Sequence, residues 1–267
     1  MEHCDPIDKV LAERKFFGSK YALREMRVGG SSLFFYHPGD TFGVKYIPTK
    51  NCFDPFAKPL FDAEREARLG MFIESLKNPH LLGITDVEKL EGGIALKVRY
   101  GGITLKNAEI DITDHNLYYT ILHDVCTGLV ILHQNNIVHN DISPRNITVL
   151  DGRAALIDFG ESRRLGVDID FPGVDHAFCA PELKMSGAGT YASDVYSVGK
   201  VAEVLLSHYG CGRISNADNI FGDVLDDVLE NTRHYNPRLR PTAKNLSMIL
   251  NDFILLELNS QDNLKVA

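Results

Sequence analysis

Three oxygen-bearing side chains and one lysine stand out in this sequence by their surroundings. Asp158 closes the apolar run Ala154, Ala155, Leu156 and Ile157 and is followed by Phe159 and Gly160, which puts a carboxylate at a strand end. Asn146 lies five residues after Asp141 and offers a neutral oxygen, and hard cations such as magnesium take carboxylate and amide oxygens. Asp141 is a candidate base, and Lys45 follows Phe42, Gly43 and Val44 on a candidate strand. Phosphoryl transfer uses these types together. It needs a divalent cation on the phosphates, a positive charge on the phosphates that stay behind, and a carboxylate to orient the attacking hydroxyl. Plainer readings stand beside these. Asp-Phe-Gly is a common turn tripeptide, and a lysine on an exposed strand face is as often simply solvated. An Asp and an Asn five residues apart in an otherwise apolar setting are harder to explain as packing.

Two textures divide the elements that would carry these residues. Up to about residue 100 the chain reads as strands and turns. Segments 32–36 and 41–47 flank His37-Pro38-Gly39-Asp40, whose residues set φ for a turn. A second hairpin is predicted over 82–98, turning at Gly92-Gly93, a dipeptide suited to primed turns. Between them, 61–76 places Leu69, Phe72, Ile73 and Leu76 at helical spacing. After Gly101-Gly102, helices are predicted over 118–134, 194–208, 219–230 and 242–257. Residues 135–182 are short apolar runs broken by Asn, Asp, Pro and Gly, including a hairpin of 147–150 and 154–157 turning at Asp151-Gly152. Catalytic groups are often mounted on such segments.

The 267 residues are 44% apolar and 24% charged, an ordinary globular composition. The formal charge of -8 argues against a surface built to grip nucleic acid or anionic lipid. Cys4, Cys52, Cys126, Cys179 and Cys211 are scattered and never form a C-x-x-C pair, which argues against a disulfide framework or a zinc site. The first residues, Met1-Glu2-His3-Cys4-Asp5-Pro6, lack an export signal or a myristoylation glycine, and no membrane segment is expected. The expected location is cytoplasmic or nuclear.

Four segments occur in one order: Val44-Lys45; His139-Asn140-Asp141 with Asn146; Asp158-Phe159-Gly160; and Ala180-Pro181-Glu182. Together they resemble a eukaryotic-type protein kinase catalytic domain. The resemblance continues through Asp194-Val195-Tyr196-Ser197-Val198-Gly199 and residues 236–243, and so covers about 20–257. It implies an α+β, two-lobed fold within a single domain. The N-lobe, about 1–100, would be a small antiparallel sheet with one main helix, and the C-lobe, about 101–267, larger and mostly helical. The implied cofactors are ATP and Mg2+, and the implied partners are protein substrates. By this resemblance Lys45 would hold the α- and β-phosphates, paired with Glu66 in preference to Glu64 or Glu74. Asp141 would be the catalytic base, Asn146 and Asp158 the magnesium ligands, and Gly29 and Gly30 part of the phosphate-covering loop. Glu182 would pair with Arg240, Asp194 would accept hydrogen bonds from the catalytic-loop backbone, and His139 would pack beneath Phe159.

The sequence also departs from the family pattern. Arg27-Val28-Gly29-Gly30-Ser31-Ser32 is shorter than the family's glycine loop and lacks its three-glycine spacing. Asn140 replaces the Arg that pairs with a phosphorylated activation segment, which predicts activity independent of such phosphorylation. Ser143 stands where serine/threonine kinases carry a Lys, while Arg145 occupies a position used by many tyrosine kinases and could restore that charge. Asp175 falls where a Thr is usual, leaving the acceptor open, and residues 210–219 are short for a docking helix. The expected function is an ATP-dependent serine/threonine protein kinase. The alternatives are a pseudokinase serving as an interaction module and a small-molecule phosphotransferase of kinase-like fold. The latter relatives usually lack the Ala-Pro-Glu and Asp194 patterns. Substrate and oligomeric state are left open by the sequence.

Overall fold

Residues of β3 (Phe42–Pro48) are buried on both faces, and their parity decides what each meets. Val44 and Tyr46 pack on one side with Phe35 and Ala95. Ile47 packs on the other with Ile94, Leu96, Ala63 and Ala67. Lys45 shares the parity of Ile47 and therefore faces the side that a helix covers. That helix is α1 (Leu60–Ser75), whose buried stripe includes Ala63, Glu66, Ala67, Gly70, Ile73 and Glu74. Alternation in the strand and 3.6-residue periodicity in the helix thus bring a lysine and a glutamate to one interface.

The computed structural model describes residues 24–27, 32–36, 41–49, 58–90, 92–108, 115–165, 177–208 and 220–266. Gly29, Gly30, the turn at 37–40, Asp175 and the short stretch 210–219 lie outside the described residues. Two compact units divide the chain: Met1–Gly101 with Asp158–Gly160, and Gly102–Ile157 with Glu161–Ala267. The fold is α+β.

In the first unit, among the described residues, β1 (Arg24–Arg27), β2 (Leu33–Tyr36), β3, β4 (Ile84–Lys89) and β5 (Gly93–Arg99) form an antiparallel sheet in the order β1-β2-β3-β5-β4. β1 is absent from the sequence expectations; Arg27, read there as the head of the glycine loop, closes it. The second hairpin is present, but its glycine serves a different purpose from the one expected. Gly93 is required by close approach and not by a left-handed φ: a Cβ there would lie 2.3 Å from the Ile47 carbonyl oxygen. Gly93→Ala is therefore expected to cost roughly 1–3 kcal/mol by forcing β3 and β5 apart. A lower urea midpoint measures it.

The second unit is built on α2 (His115–Gln134), α3 (Pro181–Ser186), α4 (Tyr191–His208), α5 (Ile220–Thr232) and α6 (Ala243–Val266). α2 packs on α6, with the Tyr119 and Phe253 rings 5.8 Å apart, and also on α4. Its apolar arc, Ile121, Leu122, Val125, Leu129 and Leu132, is fully buried. Short strands β6 (Ile103–Thr104), β8 (Ile147–Leu150) and β9 (Arg153–Leu156) pair in the order β6-β8-β9, and β7 (Ile137–Val138) pairs with β10 (Arg163–Arg164). α4 begins three residues before the expected Asp194. Thr190 and Ser193 cap it reciprocally: the Ser193 N–H donates to Thr190 Oγ1 at 3.2 Å and the Thr190 N–H to Ser193 Oγ at 2.8 Å. α6 runs past the expected 257, to Val266. Among the described residues no helix is long and apolar enough to cross a membrane.

Candidate active site

Lys45, on β3, donates from Nζ to Glu66 Oε1 and to Asp158 Oδ1, each at 2.7 Å. Its side chain is 11% exposed and that of Glu66 3%. The other two glutamates considered for this lysine are committed elsewhere. Glu64 meets Lys89 at 2.6 Å on the surface, and Glu74 accepts from Arg99 at 2.9 Å. Burial alone would lower the Lys45 pKa, but the Asp158 and Glu66 carboxylates outweigh it and hold the ammonium charged beyond its ordinary range. Burial alone would raise Asp158. The Lys45 charge and hydrogen bond, the Lys58 charge and the Gly160 amide reverse this and hold its carboxyl well below the usual range.

Asp158 adopts φ +59°, a left-handed conformation that Asp tolerates better than most residues but that still costs about 1–3 kcal/mol. The conformation lets the Gly160 N–H donate to Asp158 Oδ1 at 3.2 Å. Among the described residues no donor reaches Asp158 Oδ2, so that oxygen is open to a cation. Two cations that the sequence reading did not pick out lie beside this cluster. Lys58 Nζ is 3.3 Å from Glu66 Oε2, and Arg65 donates to the Gly160 carbonyl at 3.0 Å. A lysine eight residues before a buried glutamate carries no periodic signal. Arg65 precedes Glu66 directly on the helix and could have been suspected.

In the second unit, residues 139–146 form a loop pinned from below. Asp194 is 1% exposed and accepts from the His139 N–H and the Asn140 N–H, each at 2.9 Å, while His133 Nε2 lies 3.0 Å from its Oδ2. Asn140 has φ +66°, and its Nδ2 donates to the Glu161 carbonyl at 3.1 Å. Ser162 Oγ donates to the His139 carbonyl at 3.2 Å. Asn146 Nδ2 donates to Asp141 Oδ2 at 2.7 Å and to its carbonyl at 2.8 Å, which fixes the Asp141 carboxylate and leaves Asn146 Oδ1 as the atom available to a cation. Arg145 is exposed and has no ion-pair partner among the described residues. Ser143 is 1% exposed, and its Oγ has no hydrogen-bond partner among them.

Farther along this unit, Arg240 clamps Glu182 at both oxygens, 2.6 and 2.9 Å, with its own side chain fully buried. The same guanidinium donates to the carbonyls of His234 and Ala192 and stacks 4.9 Å from the Tyr196 ring. It therefore ties the start of α3 to the start of α4.

Asp158 in the first unit and Asn146 in the second each carry a hard oxygen of the type magnesium takes, one or two from a protein with phosphate and water completing the shell. Among the described residues no group of three or more His, Cys, Asp or Glu side chains could hold a metal by itself.

Comparison with known proteins agrees with this arrangement. The protein kinase domain family matches residues 70–264, well over half of the chain. A protein of Bifidobacterium longum described as a probable serine/threonine-protein kinase is 27% identical over 203 residues, 71% of this chain and 26% of that protein. The calcium/calmodulin-dependent protein kinase kinase of Caenorhabditis elegans is 32% identical over 150 residues, 53% of this chain and 26% of that one. The chain thus spans about a quarter of the length of either relative. A sheet lysine held by a helix glutamate, a pinned His-x-Asp loop and a match across most of the chain lead to one assignment: the chain belongs to the protein kinase domain family.

Proposed function

We propose that the chain is an ATP-dependent protein kinase that transfers the γ-phosphate to Ser or Thr hydroxyls of protein substrates. The observation that carries this reading is the buried Lys45, shared between Glu66 and Asp158. An ammonium fixed in this way, charged and rigid, is suited to holding the phosphates that are not transferred. Asp141 orients the acceptor hydroxyl and takes its proton, its carboxylate kept in place by Asn146. Asp158 and Asn146 would hold magnesium, which would supply charge neutralisation on the phosphate oxygens. Arg145, exposed and without an ion-pair partner among the described residues, replaces the positive charge that a lysine at position 143 would bring to the γ-phosphate. The serine/threonine preference rests on the description of the Bifidobacterium relative.

Independence from activation-segment phosphorylation belongs to the same proposal. It is supported by Asn140, whose neutral amide bonds the Glu161 carbonyl directly and offers no bidentate receptor for a phosphate.

The test is a thermal melt with and without Mg-ATP, followed by γ-phosphate transfer to protein acceptors. Wild type is expected to melt at higher temperature with Mg-ATP and to phosphorylate, while Asp158→Ala loses both responses. A melt indifferent to nucleotide and metal favours the pseudokinase reading, and transfer to small alcohols without transfer to protein favours the small-molecule one.

A further inference from the structure

Glu66 carries a second lysine that phosphate binding by Lys45 does not by itself require. Lys45 occupies Glu66 Oε1 at 2.7 Å, and Lys58 lies 3.3 Å from the other oxygen, Oε2. With Glu66 almost fully buried, two ammonium groups share one carboxylate largely out of reach of water. Lys58 is itself fixed: its N–H donates to the Pro48 carbonyl at 3.1 Å, at the end of β3, and Pro59 opens α1 directly after it. The Asp158–Gly160 segment fits this pair only because residue 160 lacks a side chain. A Cβ there would lie 2.7 Å from Glu66 Oε2 and 3.0 Å from Lys58 Nζ.

This geometry addresses a problem in the exchange that Lys45 must make. Lys45 bridges two carboxylates. To hold a phosphate it must release Asp158 to the metal while keeping Glu66. A buried carboxylate with one cationic partner grips that partner strongly, because the alternative is an uncompensated buried charge. A second cation on the other oxygen fixes Glu66 and compensates its charge, so that Glu66 holds Lys45 through Oε1 alone while the remaining N–H groups of Lys45 are left for a phosphate oxygen.

We propose that Lys58 is a positioning residue for the phosphates: by holding Glu66 at Oε2 it lets Lys45 turn from Asp158 to a phosphate oxygen. The proposal rests on the reading that Lys45 holds the phosphates. It names a role for a residue outside the motifs that the sequence offered.

The test compares wild type, Lys58→Gln, Lys58→Arg, Lys45→Met, Glu66→Gln and the Lys58→Gln/Glu66→Gln double variant. Mg-ATP affinity is read by calorimetry, and ATP KM and kcat by steady-state transfer. Lys58→Gln is expected to raise Kd and KM for Mg-ATP about tenfold, with kcat within about threefold of wild type, the scale of one lost charge-assisted hydrogen bond. Lys58→Arg is expected to restore both to within about threefold of wild type, and adding Lys58→Gln to Glu66→Gln to change Kd by less than about twofold, since the effect runs through Glu66. A Lys58→Gln affinity equal to wild type beside a lost one in Lys45→Met overturns the proposal and leaves the kinase reading standing. A full tenfold loss in the Glu66→Gln background overturns it as well, by showing that Lys58 acts directly. Unchanged affinity in Lys45→Met removes the premise and overturns both. If Lys58→Gln does not melt cooperatively, Lys58→Met, which keeps the aliphatic stem, decides by the same readouts.

Discussion

Asp141→Asn is expected to lower kcat for γ-phosphate transfer by about 10² to 10⁴, while the Kd for Mg-ATP stays within about threefold of wild type. The substitution keeps the shape of the side chain and removes the anion that accepts the hydroxyl proton. The loop itself has reason to stay in place. Its backbone is held by Asp194 at His139 and Asn140, and Asn146 also bonds the Asp141 carbonyl, which the substitution leaves intact. Single-turnover transfer and calorimetry on the same preparation separate the two effects. Undiminished turnover in Asp141→Asn would move the base elsewhere. The contrast with Asp158→Ala is informative, because that change removes a cation ligand and should cost nucleotide affinity as well as rate.

Arg240→Ala is expected to give the largest loss of stability, about 3–5 kcal/mol, or a fall in melting temperature of roughly 6–20 °C. The arginine side chain is wholly buried and the glutamate largely so. Removing the guanidinium strands the Glu182 carboxylate and also removes the hydrogen bonds that Arg240 donates to the carbonyls of His234 and Ala192. The cost comes mainly from what is left unpaired. An Arg240→Met/Glu182→Met double variant, which removes both charges and keeps volume, should therefore melt well above Arg240→Ala. Equal melting of the two would show that the stacking on Tyr196 and the carbonyl bonds dominate.

Much of this arrangement was legible in the sequence, and the illegible part has physical reasons. The apolar run 41–47 behind the turn His37-Pro38-Gly39-Asp40 and the helical spacing over 61–76 suffice to find β3 and α1, and the five-residue step from Asp141 to Asn146 marks the loop. Three glutamates on one helix left the partner of Lys45 open, because all three lie within reach of basic residues. Lys89 and Arg99, which engage Glu64 and Glu74, sit on strands whose register no single-sequence pattern fixes. Two-residue strands such as β6, β7 and β10 follow from where the backbone is carried, not from local preference. The left-handed φ of Asn140 and Asp158 has the same origin: both residue types tolerate it, and only the surrounding bonds to Asp194, Glu161, Lys45 and Gly160 impose it. The reciprocal cap of Thr190 and Ser193 lies ahead of the apolar periodicity, so the periodicity alone starts this helix at Asp194.

The most direct measurement is a crystal structure of the chain with magnesium and a non-hydrolysable ATP analogue. Lys45 Nζ is expected to leave Asp158 for an oxygen of the α- or β-phosphate while keeping Glu66, with the metal on Asp158 and Asn146. Phosphates bound away from Lys45, or a Lys45 still bridging Glu66 and Asp158 beside a bound nucleotide, would contradict it.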